Sequence, residues 1–399
     1  MISISTWVMR GNSSARRRLF TGQRIAVNYC SHQFVRASSG PPTHTSDRAR
    51  TPTGAGPASA HCGLGRAAAD TAGSLLELLG QVQDALTTTA LSSSKGMIVA
   101  VRYLISHPDA LAELGDLDVA LYDGTHPLPE NLDDVEFYAV PYGIVDPRFC
   151  EPIARMPRLK VVQTVTAGYD HVLPYLRPGL ILANGRGVHD AATAELAVAL
   201  TLAARRRLPD FVRAGGEGRW ASGWSTGLAD ARVLIVGYGS IGAAIERRLA
   251  GFEVEISRVA RSARPGVRPV SEIAEMLPRA DVVVLATPLT PETEGLVNKD
   301  FLARMADGAL LVNVSRGRVV DTDALLVELS TGRLHAALDV TEPEPLPADH
   351  PLWSAPNVLI SPHVGGLTAA LAPRARRLLV DQVRRYAAGE PLANVVVGP

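Results

Sequence analysis

Three side chains toward the C-terminal end have the types and order that reduction of a 2-keto acid by a nicotinamide would require. They are Arg316 in NVSRG, Glu344 in LDVTEPEP and His363 in SPHVGG. A guanidinium presents parallel donors to a substrate carboxylate and polarises the keto oxygen beside it. An imidazole delivers the proton that turns a developing alkoxide into an alcohol. A carboxylate next to that imidazole keeps it oriented and stabilises its cation. Singly, such residues are more often surface pairs or satisfied core groups, and His107, His126, His335 and His350 are read that way. His171, in GYDHV, is expected to brace its loop. The ordered set of three is what points to chemistry.

The hydride donor needs a seat, and VLIVGYGSIG provides one. An apolar strand runs into Gly237-Tyr238-Gly239-Ser240-Ile241-Gly242 and a helical stretch follows, the context in which such a glycine motif has meaning. Gly237 allows the tight turn, Gly239 lets backbone approach a pyrophosphate, and Gly242 lets helix pack on strand. The phosphate charge then meets a helix N-terminus. A site for NAD should offer Asp or Glu about twenty residues further on, for the ribose hydroxyls. Here Ala260-Arg261-Ser262-Ala263-Arg264 occupies that place, while Glu255 falls too early in the strand. Arg261, Ser262 and Arg264 can receive a 2′-phosphate, so NADP is expected in preference to NAD.

Those residues must be held by a scaffold. With 399 residues, 46% hydrophobic and 20% charged with no net charge, the chain has room for two domains with real cores and no bias toward nucleic acid. Cys30, Cys62 and Cys150 are scattered and lack CxxC spacing, which disfavours disulfides and a metal site. The longest apolar run, LAVALTLAA at 196–204, is too short to cross a bilayer. A cytoplasmic protein is expected. Residues 1–96 read as an extension outside the core. Up to about residue 66 they are rich in Arg, Ser, Gly, Ala and Pro, with Asp47 the one acidic residue. A tail or a translation start placed too early accounts for this, with an organellar transit peptide as the alternative. Within it, 68–91 has the pattern of an amphipathic helix, with Leu75, Leu78, Leu79 and Val82 on one face.

From Met97 apolar strands alternate with helical stretches, the pattern of parallel sheets wrapped by helices. A long helix over 190–208, with Asp190 as N-cap, separates five early strands from six later ones, and TAALAPRARRLLVDQVRRYAAG crosses back. The expected fold is α/β with two doubly wound parallel-sheet domains. A Rossmann cofactor domain, 191–368, is inserted in a flavodoxin-like substrate domain, 97–190 plus 369–399.

Over 97–399 the chain resembles the D-isomer-specific 2-hydroxyacid dehydrogenases. The likeness rests on TVTAGYDHV, ATAELAVALTLAARRR, GYGSIG, ATPLTPETEGLVN, LVNVSRGRVVD, LDVTEPEPLP and SPHVGG in that order. It implies that Arg316 binds substrate, that His363 is the acid–base and that Glu344 pairs with it. It further implies that Asp339 meets the nicotinamide amide and that Ser240 and Ile241 meet the pyrophosphate. Pro288, Val314, Ser315, Gly365 and Gly366 complete the cofactor set. A first-domain loop, Pro141-Tyr142-Gly143, would hold the substrate carboxylate through the amides of Tyr142 and Gly143, since Pro141 has none. The resemblance implies a homodimer and a small 2-keto or 2-hydroxy acid, glyoxylate or hydroxypyruvate foremost. Family members also include phosphoglycerate dehydrogenases and dinucleotide-sensing corepressors. The short stretch after His363 leaves no room for the regulatory domain of many of the former. Three departures stand out: GRLHAALDV is one residue short, the acidic ribose ligand is missing, and Pro141 stands where many relatives have an arginine. The last disfavours a phosphorylated substrate, because a phosphate buried without a cation is costly.

Overall fold

The computed structural model describes residues 102–142 and 146–398. The N-terminal extension, its 68–91 stretch and the start of the first expected strand lie outside the described residues, as does Gly143. The rest forms two twisted sheets. The first contains β1 (Tyr103–Ile105), β2 (Val119–Leu121), β3 (Phe137–Ala139), β4 (Val161–Gln163) and β5 (Ile181–Ala183), in spatial order β5-β4-β3-β1-β2. The second contains β6 (Arg232–Val236), β7 (Glu255–Ala260), β8 (Arg268–Pro269), β9 (Val282–Leu285), β10 (Leu310–Asn313), β11 (His335–Leu338) and β12 (Val358–Ile360). Its order is β12-β11-β10-β9-β6-β7-β8, and every pairing is parallel. A strand covered on both faces reads as an unbroken apolar run rather than an alternation. That is why VVVL of β9 and LLVN of β10 are buried at every position.

Helix α1 (Asp190–Arg205) follows the first five strands and α2 (Leu208–Gly216) comes directly after it. A single helix to 208 was expected, but the run ends at Arg205 and the chain turns through Arg207 at φ +56°. Pro209 explains the break: it suits the first turn of a new helix and cannot continue an old one. Asp190 is not the N-cap either. His189 takes that position without a side-chain cap, and the Asp190 carboxylate instead accepts from the Gly187 N–H at 3.2 Å and the Ser240 hydroxyl at 3.1 Å.

α1 buries Ala194, Ala197, Val198 and Leu200 against the second sheet, in one core with Val233, Ile235, Val282 and Val312. Helix α3 (Ser240–Leu249) packs on the same side through Ala244, Ile245 and Leu249. The last helix, α4 (Leu371–Ala387), returns to the first sheet and buries Ala375, Leu379, Val380 and Val383 with Tyr103 and Phe137. Full burial of such aliphatic side chains contributes about 1.5–3 kcal/mol each before entropy is counted. Two polar contacts fix its register. Gln382 donates to the Gln163 side chain at 2.6 Å, both fully buried, and the Tyr386 hydroxyl donates to Glu136 at 2.8 Å. After α4, a strand absent from the sequence reading, β13 (Val395–Val397), pairs antiparallel with β5 and closes that edge. Among the described residues no helix is long and apolar enough to cross a membrane.

Candidate active site

The imidazole sits just beyond β12, on a loop in an unusual backbone state. His363 has φ +51°, uncommon for a residue with a side chain and worth relating to function when the surroundings enforce it. Here Asp339 enforces it from the end of β11. Its carbonyl accepts the His363 N–H at 2.7 Å, and its carboxylate accepts from the Ser361 hydroxyl at 2.7 Å and the Val364 and Gly365 N–H groups at 2.9 Å each. A carboxylate only 3% exposed must be bonded in this way. The bonds of Asp339 therefore go to the loop that carries His363. On the open side, His363 Nδ1 is hydrogen-bonded to Glu344, and both side chains keep about a quarter to a third of their surface exposed, at 27% and 30%.

Arg316 follows β10. Asn313 builds its loop by accepting from the Ser315 N–H and hydroxyl at 3.0 and 2.7 Å while donating to the Arg316 carbonyl at 3.0 Å. The guanidinium is not free. Its Nε donates to Asp170 at 3.1 Å and one terminal nitrogen to the Ser315 carbonyl at 2.8 Å. Asp170 stands on the loop after β4, so this ion pair joins a loop of the first sheet to a loop of the second. The other terminal nitrogen lies against Gly168, where an added Cβ would come within 1.6 Å. Tyr142, of the loop expected to hold substrate, is half-buried, and burial pushes its phenol pKa up against the opposing pull of Arg316. Its ring stacks on His189 with centroids 5.7 Å apart. Burial also pushes the His171 and His189 imidazoles down.

The glycine turn has the shape a dinucleotide needs. Gly237 is at φ +95°, and a Cβ there would meet the backbone of Ala286 at 2.5 Å. A Cβ on Gly242 would strike the Gly237 carbonyl at 2.3 Å, whereas Gly239 has open space above it. Ser240 and Ile241 are the first residues of α3, though the Ser240 hydroxyl is turned to Asp190. Val314 and Ser315 are nearly buried beyond β10, Pro288 is exposed after β9, and Gly365 and Gly366 adjoin His363. Arg261, Ser262 and Arg264 are exposed beyond β7. Arg264 donates to the Tyr238 carbonyl and lies over the Tyr238 ring at 5.7 Å, so it already leans across the turn. The nearby Arg258 is neutralised by Glu246, which also accepts from the Tyr238 hydroxyl. Glu255 stands at the start of β7, opposite Arg232 and remote from the turn.

Sequence reasoning passed over Asp170, Gly168, Asn313, His189 and Thr287. The Thr287 backbone lies against the Gly237 turn, and its hydroxyl is buried and without a partner. Its place before Pro288 in ATPLT was the available signal. The others become visible only when distant loops meet.

The model of the D-isomer specific 2-hydroxyacid dehydrogenase NAD binding domain matches residues 198–365. Human glyoxylate reductase/hydroxypyruvate reductase is 35% identical over 312 residues, covering 71% of this chain and 92% of the human protein. Among solved structures, a D-isomer specific 2-hydroxyacid dehydrogenase from Xanthobacter autotrophicus Py2, in complex with NADPH and MES, is 31% identical with TM-score 0.62, covering 74% of this chain and 98% of that one. The NADPH-dependent glyoxylate/hydroxypyruvate reductase of Sinorhizobium meliloti, with NADP and malonate, is 28% identical with TM-score 0.63, covering 75% and 97%. With this fold, this glycine turn and relatives matched over nearly their whole length, the chain belongs to the D-isomer specific 2-hydroxyacid dehydrogenases and is an NAD(P)-dependent oxidoreductase acting on small keto or hydroxy acids.

Proposed function

We propose that this enzyme reduces glyoxylate or hydroxypyruvate with NADPH in preference to NADH. The observation that carries the cofactor choice is the pair of exposed guanidiniums, Arg261 and Arg264, standing where an NAD site needs a carboxylate. Two solved relatives hold NADPH or NADP, in keeping with that reading. The cradle fits the group: side chains are sterically excluded at Gly237 and Gly242, Gly239 is open, and the Thr287 hydroxyl is an unspent hydrogen-bonding group. In this reading 191–368 binds cofactor, and 97–190 with 369–399 binds substrate.

Bound there, a reduced nicotinamide supplies the hydride. Arg316 and the amides of Tyr142 and Gly143 hold the substrate carboxylate, and Asp170 fixes the plane of the guanidinium. With Nδ1 committed to Glu344, His363 Nε2 is the ring nitrogen left to hand its proton to the keto oxygen. Pro141, standing where many relatives have an arginine, offers a phosphate no cation and so favours keto acids without one. The assay that tests the whole reading is a panel of 2-keto acids with NADPH and with NADH. If the protein binds NADPH tightly and reduces none of them, a dinucleotide-sensing role replaces catalysis. Fastest turnover of phosphohydroxypyruvate would instead favour a phosphoglycerate dehydrogenase. Arg316→Lys keeps the charge but loses the fork and the Nε contact to Asp170. We expect the keto-acid KM to rise and kcat to fall, each on the order of tenfold.

A homodimer completes the reading, working in the cytoplasm, where unpaired cysteines are the norm. Trp220 and Trp224 are 97% and 98% exposed, just after α2, whose Leu208 and Val212 are exposed as well. Bare apolar side chains of this kind are what a subunit interface would cover, which supports that reading. Light scattering should report twice the chain mass for the wild type, and substituting both tryptophans by alanine should shift it toward the monomer.

A further inference from the structure

We infer that His189 is a positioning residue: it seats the substrate loop at Tyr142 and the loop that follows His363 against one another. The inference rests on the reductase reading above. His189 occupies the N-cap of α1, the helix leading from the first sheet to the second, and is 6% exposed. Three loops converge on its ring. Nε2 lies 3.0 Å from the carbonyl of Val165, beyond β4. One face stacks on Tyr142, beyond β3, with the planes inclined by 29°. The remaining edge closes over Gly366, three residues past His363. A Cβ there would come within 2.4 Å of Nδ1, 2.9 Å of Cε1 and 3.3 Å of the Tyr142 hydroxyl.

The tautomer follows from the partners. A carbonyl only accepts, so Nε2 carries the hydrogen. Burial keeps the ring neutral, against the pull of the Val165 and Gly366 backbone and then of neighbouring Asp190, and with the help of Arg316. Nδ1 is then an acceptor, buried against the Gly366 backbone and meeting no donor within hydrogen-bonding geometry. Leaving such an acceptor unmet is costly, and a leucine would fill the same space without that cost. What the imidazole brings is therefore its Nε2–H bond and its flat face, both directed at the substrate loops.

The test uses the full chain. His189→Leu is expected to raise the keto-acid KM on the order of tenfold, the scale of one lost buried hydrogen bond, with NADPH binding unchanged and kcat little altered. His189→Gln restores a donor toward Val165 and should recover most of that loss, although both variants change the packing. A double-mutant cycle reads the second contact. Gly366→Ala should impair the wild type severely and the His189→Ala background much less, because the ring it strikes is gone. Nitrogen-15 NMR of the imidazole reads the geometry without turnover: an Nε2-protonated, Nδ1-bare ring whose shifts move in Tyr142→Phe. Leu and Gln variants with the wild-type KM would overturn the inference while leaving the reductase reading intact. An Nδ1-protonated ring or an additive cycle would overturn it as well. Absence of keto-acid reduction by the wild type would sink the reductase reading alone, and the NMR result would still decide the role of His189.

Discussion

His363→Ala should abolish most of the turnover, a loss of about 10²–10⁴-fold for a positioned general acid, while NADPH binding survives. The separation is expected because the imidazole hangs beyond β12, bonded to Glu344, whereas the glycine turn lies between β6 and α3. Stopped-flow single turnover with saturating keto acid measures the first effect and fluorescence titration with NADPH the second. Glu344→Gln should fall between wild type and His363→Ala, since an amide can still bond to Nδ1 but no longer stabilises a cationic ring. A His363→Ala enzyme within a few-fold of wild type would remove His363 from the proton transfer.

The second large effect concerns the cofactor. Replacing Arg261 and Arg264 together by alanine should raise the KM for NADPH on the order of a hundredfold or more, as expected for two charge-assisted contacts to one phosphate. NADH lacks that phosphate, so its KM should barely change and the preference should collapse or invert. Arg264 already crosses the glycine turn to Tyr238, so its loss should also loosen the turn slightly for both cofactors. Equal losses with NADPH and NADH would mean that the two arginines are only a solvated bend. Keeping Arg258 intact is the proper control, because Glu246 absorbs its charge.

Much of the scaffold was legible because a parallel strand buried on both faces leaves a contiguous apolar signature. β6, β9 and β10 are of this kind. β8 and β13 were not legible: each is two or three residues long and lies at a sheet edge, where pairing is decided by the neighbour rather than by local pattern. The site divides along a similar line. Arg316, Glu344 and His363 stand in ordered motifs, so their types and sequence order carried information. Asp170 and Arg316 lie 146 positions apart, and no periodicity links them. The same holds for His189 against Tyr142 and Gly366. Asp339 shows a different limit. Resemblance implied a contact with the nicotinamide, and nothing in the sequence signals that the same carboxylate also accepts from Ser361, Val364 and Gly365.

That arrangement bears on the order in which ligands can enter. The imidazole, its carboxylate and the glycine turn are all carried by the second sheet, and Asp339 ties the imidazole's loop to β11. Tyr142 and Asp170 arrive from the first. The dinucleotide turn therefore rests on one sheet alone, while a keto acid needs groups from both. Such a division is expected to make binding sequential, with the large ligand first in and last out, which product-inhibition kinetics would read.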